Sequence, residues 1–320
     1  MISLQHVTKK FGSYTAVDNI SFEVGKGETV VLLGTSGCGK TTTLRMINRL
    51  IDCSSGNILV RGENIRDIPV ENFRRNIGYV LQHNGLFPHY TISENIAIVP
   101  QLLKWPQQKI ASRISELLDK VHLHESILSL YPEQLSGGQQ QRIGLARALA
   151  ADPPILLMDE PFGALDAITR KKITKEFSGL DLLKNKTIVL VTHDIREAFE
   201  LGDRILLMDK GQIVQQGKPA ELLFHPASDF VSEFFSNQEM ELQLNAVFLK
   251  DIFKHLQYSA TDENNLTFTE DTLSLWDALE LLQSEKQKYL SIKNAAGEIR
   301  HAGYDSLFTG LEAIKRQSHE

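Results

Sequence analysis

The chain has 320 residues and a formal net charge of −6, with 42% hydrophobic and 23% charged residues, the profile of a globular protein with room for two or three domains. It contains no apolar run near the ~18 residues of a membrane-spanning helix and no signal-peptide core in MISLQHVTKKFG, and its two cysteines, Cys38 and Cys53, imply no disulfide framework. A cytosolic protein with at most peripheral membrane association is expected. Charge divides unevenly: residues 1–236 hold 26 acidic and 26 basic side chains, whereas 237–320 hold 14 and 8. No basic stripe points to nucleic acid, and the shift in composition predicts a second domain at 237–320.

In chain order, strands are predicted at Ile2–Val7, Ile20–Val24, Thr29–Leu33, Asn57–Val60 and Ile77–Leu81, with a helix over Thr41–Leu50. Residues 93–150 read as mostly helical, broken at Trp105-Pro106 and Tyr131-Pro132. The apolar run Ile155–Met158 suits a strand buried on both faces. A helix through Ile168–Phe177 and strands at Thr187–Val191, Arg204–Met208 and Gln212–Gln216 follow, with a turn at Lys210-Gly211. Helical Ala220–Phe235 then leads to the acidic tail. The alternation is that of an α/β layer architecture.

GTSGCGKT, Gly34 to Thr41, fits the phosphate-binding loop G-x-x-x-x-G-K-[ST] and lies between a predicted strand and a predicted helix. Gly34, Gly37 and Gly39 let the backbone curl, so that the amides of Thr35, Ser36, Cys38, Lys40, Thr41 and Thr42 can face an anion at a helix N-terminus. Lys40 supplies a point charge to the β- and γ-phosphates, and the Thr41 hydroxyl can ligate Mg²⁺. ILLMDE, Ile155 to Glu160, ends a strand in two carboxylates. Asp159 is a candidate Mg²⁺ ligand through water, and Glu160 a candidate general base for an attacking water. LSGGQQQR, Leu135 to Arg142, sets Ser136, Gly137, Gly138 and Gln139 before a helix, which makes a second anion-binding N-terminus in the same chain.

With these three motifs the chain resembles the ABC ATPases, whose signature motif LSGGQ matches. The resemblance covers about residues 1–236. It implies a P-loop NTPase fold with a RecA-like core, a β-subdomain and a helical subdomain at about 84–150. It also implies ATP and Mg²⁺ as ligands. Gln82 resembles the Q-loop glutamine that touches Mg²⁺ and senses the membrane partner, and His193 the switch histidine on the γ-phosphate. Asp166 in PFGALD resembles the D-loop aspartate that crosses the dimer interface. Phe11 sits where the family stacks an aromatic on adenine, with Tyr14 a weaker candidate. Two subunits would clasp ATP between one chain's phosphate loop and the partner's Ser136–Gly137 turn, beneath integral-membrane permease subunits.

Residues 83–90 fall where the family meets its permease, and Leu86 and Phe87 suit either that socket or the core. RMINRL, IGYVLQHNGLFPHYTISENIAIVP and PFGALDAITR are similar to ATPases of osmoprotectant importers, which take up glycine betaine, carnitine or choline delivered by an extracytoplasmic solute-binding protein. An importer ATPase for another small solute, or a non-transport ABC ATPase, remains the alternative. Thr267–Ala313 resembles a single CBS motif, a small α+β unit read either as a ligand-binding sensor or as a dimerising appendage.

Overall fold

A computed structural model describes residues 1–82, 85–163, 165–256 and 267–317. His83, Asn84 and Ala164, named above, lie outside the described residues. The chain divides into two compact units, Met1–Gln216 and Gly217–Glu320.

In the first unit, β1 (Ile2–Phe11), β2 (Tyr14–Val24), β4 (Ser55–Val60) and β5 (Glu63–Asn64) form an antiparallel sheet in the order β2-β1-β4-β5. The second sheet is built from β3 (Thr29–Gly34), β6 (Ile77–Val80), β7 (Ile155–Asp159), β8 (Thr187–Thr192), β9 (Arg204–Asp209) and β10 (Gln212–Gly217). Its order is β10-β9-β3-β8-β7-β6, with the run from β9 to β6 parallel. β7 and β8 are buried at every position, because a parallel sheet covered on both faces needs continuous apolar strands. Both sheets feed one core that joins Phe22 and Ile58 to Leu32, Leu157 and Val191.

The helices α1 (Lys40–Ile47), α2 (Val70–Arg75), α3 (Ile92–Leu102), α4 (Gln107–Lys120), α5 (Gly137–Leu149), α6 (Ala167–Ser178) and α7 (Ile195–Leu201) complete this unit. α3, α4 and α5 pack on one another and supply the helical region expected over 93–150. Helix α2 was not anticipated: it has six residues and buries only Phe73, too little periodicity to read.

The second unit begins with α8 (Pro219–Phe224) and α9 (Asp229–Ser236). These replace the single helix expected over Ala220–Phe235. Pro226 lies between them, and proline disfavours helical geometry at the residue before it and lacks an amide to donate. The unit's own core begins at Phe224, so the compact boundary precedes the shift in charge. After α10 (Glu239–Ala246) and α11 (Leu249–Ile252) comes the order β11 (Thr267–Glu270), α12 (Leu275–Ser284), β12 (Leu290–Lys293), β13 (Ile299–Ala302), α13 (Tyr304–Gln317). β12 pairs parallel with β11 and antiparallel with β13.

Candidate active site

Four candidate residues lie at the carboxyl ends of parallel strands, where ligands bind in open α/β sheets. β3 runs into the phosphate loop, β7 ends at Asp159 and Glu160, β8 ends one residue before His193, and Gln82 follows β6.

The loop glycines are fixed by space as well as by conformation. Gly34 has φ +150°, and a Cβ there would stand 2.2 Å from the Met208 carbonyl oxygen. Gly39 has φ +107°, with Ala16 O 2.6 Å from the same point. No larger residue fits either place. The Lys40 ammonium folds over the loop, donating to the carbonyl oxygens of Gly34 and Thr35 at 2.8 Å each. A phosphate entering the loop would exchange these neutral acceptors for charged ones, which form shorter and stronger bonds. The Cys38 thiol is 3% exposed and turned toward Lys40, with Sγ 3.7 Å from Nζ. Burial pushes its pKa up against the pull of that ammonium, so Cys38 offers the site its backbone and an inert side chain.

The Thr41 hydroxyl donates to Asp159 Oδ1 at 2.8 Å. Asp159 is buried, which pushes its carboxyl above the usual carboxylate range, while the Thr41 bond opposes that shift. A hydroxyl and a carboxylate so joined are the hard oxygen donors that Mg²⁺ prefers, and a bound cation would favour the ionised form. Among the described residues no group of three or more His, Cys, Asp or Glu side chains could hold a metal. That suits an ion held by one or two protein oxygens with phosphates and water completing its shell.

Glu160 sits beside this pair in a left-handed conformation, φ +45°, its amide donating to Val191 O at 2.9 Å. A non-glycine residue there stores strain, which the surrounding bonds must hold. One carboxylate oxygen, Oε2, accepts from Gln82 Nε2 at 2.9 Å and lies 3.2 Å from His193 Nδ1. The structure thus gathers Glu160, Gln82 and His193 from three strand ends. His193 is half exposed, open to a ligand on the outer side.

The remaining candidates lie on exposed ground. Phe11 and Tyr14 are paired across the β1–β2 turn and are 50% and 60% exposed. β2 brings Ala16 against Gly39, so both rings belong to the strand pair beside the phosphate loop, and the Lys9 ammonium lies 4.8 Å from the centre of the Phe11 ring. Ser136 and Gln139 close a capping box at the start of α5: Ser136 Oγ accepts from Gln139 N at 3.3 Å, and Gln139 Oε1 from Ser136 N at 2.9 Å. The Ser136 hydroxyl proton and the Gly137 and Gly138 amides stay available to an anion from outside. Asp166 caps α6 in the same way, accepting from Thr169 N at 3.1 Å, and the Thr169 bonds hold its exposed carboxyl below the usual range.

Three polar contacts escaped sequence reading. Asn95, fully buried on α3, donates from Nδ2 to the carbonyls of Phe87, Tyr90 and Thr91 and accepts from Phe87 N at 2.8 Å. Arg147 on α5 donates to Gly85 O at 2.7 Å, so two helices grip the segment after Gln82. Glu197, 3% exposed, accepts from the Thr192 hydroxyl at 2.6 Å, and burial pushes its carboxyl up to about 7. The pattern Asp194-Ile-Arg-Glu197 reads as a capping box, and Asp194 does cap α7, accepting from the amides of Arg196 and Glu197.

A parallel sheet with a phosphate loop after β3 and two carboxylates at the end of β7, one strand removed, is the arrangement of a P-loop ATPase. The sequence model of the ABC transporter family matches residues 17–163. The chain is 46% identical over 298 residues to the glycine betaine uptake system ATP-binding protein YehX of Escherichia coli (strain K12), covering 93% of this chain and 96% of that one. It is 53% identical over 241 residues to the glycine betaine/carnitine/choline transport ATP-binding protein OpuCA of Bacillus subtilis (strain 168), covering 75% of this chain and 63% of that one. Among solved structures, the dimeric post-hydrolysis state of the ATP-binding cassette MJ0796 bound to ADP and Pi aligns with TM-score 0.61 at 36% identity, over 68% of this chain and 98% of that one. This chain belongs to the ABC transporter family as an ATP-binding subunit that couples ATP hydrolysis to transport.

Proposed function

We propose that this chain is the ATP-hydrolysing subunit of an importer for osmoprotectants of the quaternary-amine class, such as glycine betaine, carnitine or choline. The observation that carries the ATPase reading is the Glu160 carboxylate held between Gln82 and His193, beside the Thr41–Asp159 pair. The solute class rests on the similarity to YehX and OpuCA.

ATP lies with its adenine on Phe11 or Tyr14 and its phosphates over Gly34–Thr42, where Lys40 meets the β- and γ-oxygens. Thr41, Asp159 and Gln82 hold Mg²⁺, which neutralises charge on the phosphates when bound. Water attacks the γ-phosphorus as Glu160 takes its proton, and the bond to the ADP oxygen breaks. His193 holds the γ-phosphate. A second copy supplies Ser136, Gly137, Gly138, Gln139 and Asp166 to the same nucleotide, as in a head-to-tail homodimer. The solved cassette MJ0796 is dimeric and holds ADP and Pi, which supports a pairing of two copies.

No helix among the described residues is long and apolar enough to cross a membrane. The chain's similarity to importer ATP-binding proteins supports a peripheral subunit at the cytoplasmic face, working with separate permease subunits and, through them, an extracytoplasmic solute-binding protein. Nucleic acid has no part. The segment held by Asn95 and Arg147, with Phe87 and Tyr90 exposed, is the permease contact. Catalysis belongs to 1–236, with 84–150 as its helical subdomain. In 237–320, the order β11-α12-β12-β13-α13 supports one CBS-like motif at about 267–313.

The test is uptake in proteoliposomes holding the complete transporter. Glycine betaine, carnitine or choline should stimulate ATP hydrolysis and accumulate inside. Stimulation by an inorganic anion or an amino acid alone would assign the chain to another importer.

A further inference from the structure

The D-loop residue Asp166 and the switch residue His193 lie 27 positions apart, on segments that follow different strands. One side chain spans the gap. Arg170 sits one turn into α6, its amide bonded to Asp166 O at 2.8 Å. Its guanidinium forks: Nη2 donates to the carbonyl of Leu165, the residue before Asp166, at 2.9 Å, and Nη1 donates to Asp194 Oδ2, on the residue after His193, at 3.0 Å. The third nitrogen, Nε, is buried without a hydrogen-bond partner, 3.8 Å from Glu197 Oε1.

The Asp194 side of this bridge is itself tied down. Asp194 N donates to Thr192 Oγ1 at 3.0 Å, and Thr192 Oγ1 donates to Glu197 Oε2 at 2.6 Å. Asp194 Oδ1 caps α7 while Oδ2 faces Arg170. His193 is therefore flanked by two residues that cannot shift independently of the cluster. The Leu165 carbonyl is bound to the same cluster through Arg170. A planar fork with two fixed donors carries displacement from one acceptor to the other, which a flexible single-point charge does not. Nε, close to Glu197 but not bonded to it, leaves room for a second arrangement in which that bond closes.

We infer that Arg170 is a positioning residue that couples the D-loop at Asp166 to the switch histidine His193. Placement of Asp166 against a partner subunit thereby sets the imidazole on the γ-phosphate side of Glu160. This rests on the assignment of Asp166 and His193 made above. Arg170 itself touches neither ATP nor the attacking water.

The test uses the full-length chain with ATP and Mg²⁺. Arg170→Met should lower kcat at least ~10-fold while ATP affinity, read by nucleotide binding, stays within ~3-fold, because only an interaction used in the transition state is lost. Arg170→Lys should remain within ~3-fold of the Met variant, since one ammonium restores charge but not the fork. Asp194→Asn keeps the α7 cap, needs no repacking and should slow turnover in the same way, so the question stays answerable if the Met variant folds poorly. Wild-type kcat in Asp194→Asn, or a loss in Arg170→Met that lysine restores together with ATP affinity, overturns the bridge. His193→Ala separates the two readings: if it retains full kcat the site assignment fails, and if it is slow while Asp194→Asn is not, only the coupling fails.

Discussion

Glu197 is a carboxyl whose buried environment moves it well away from its chemistry in water. Its carboxyl has an ordinary value of 4.5 and is pushed up to about 7, chiefly by burial, with Asp194 adding to the shift and Thr192 and Arg170 opposing it. Because the folded value exceeds the unfolded one, its contribution to stability is complete below the unfolded value and is lost as pH rises through about 7. Glu197→Gln keeps an acceptor for Thr192 but cannot ionise. Relative to wild type, the variant should gain about 3 kcal/mol of unfolding free energy between roughly pH 4 and pH 8, measured by urea denaturation. Parallel pH profiles for the two proteins would refute the buried ionisation. No sequence pattern announces this group. DxxE reads as a cap, and only the tertiary fold turns the Glu197 carboxylate inward to Thr192 and Arg170. Gly34 to Thr41 was legible for the opposite reason: the residue types that make the loop's chemistry stand together in one run, although Met208, Ala16 and Asp159 shape it from elsewhere in the chain.

At the scale of elements, apolar runs revealed β3, β7 and β8, since burial on both faces confines polar residues such as Asp159, Thr187 and Thr192 to the strand ends. β1 and β2 proved longer than alternation suggested, because register shifts between Leu4 and Lys10 interrupt the period of two. The segment between β6 and α3 was legible only as a family likeness. Residues 87–91 within it take their shape from Asn95, whose amide faces three carbonyls and one amide there. Asn95→Ala leaves those groups short of partners, at a cost of about 2–3 kcal/mol. Amide hydrogen exchange across 87–91 should accelerate, and transport-coupled ATPase in the full complex should fall, while basal hydrolysis by the free subunit persists. Unchanged exchange across 87–91 would show that the clamp does not order the loop.

For the whole molecule, each chain on the proposed reading holds half of a nucleotide site. The phosphate loop, Glu160, Gln82 and His193 converge from strand ends, whereas Ser136, Gly137 and Asp166 are left exposed, and Gly138 half-buried, at the starts of α5 and α6. Helix N-termini that cap themselves yet keep outward-facing donors are suited to an anion brought by a second copy. On that proposed reading closure depends on the γ-phosphate, and hydrolysis would remove the bridge and add repulsion between products. The measurement that meets this claim most directly is size-exclusion chromatography of Glu160→Gln with ATP and Mg²⁺. Glutamine keeps the shape of the carboxylate but cannot accept the water's proton. The variant should elute as a dimer with ATP and as a monomer with ADP, and adding Lys40→Ala should abolish the shift by removing a charged phosphate contact. A Glu160→Gln protein that binds ATP yet stays monomeric would contradict the account.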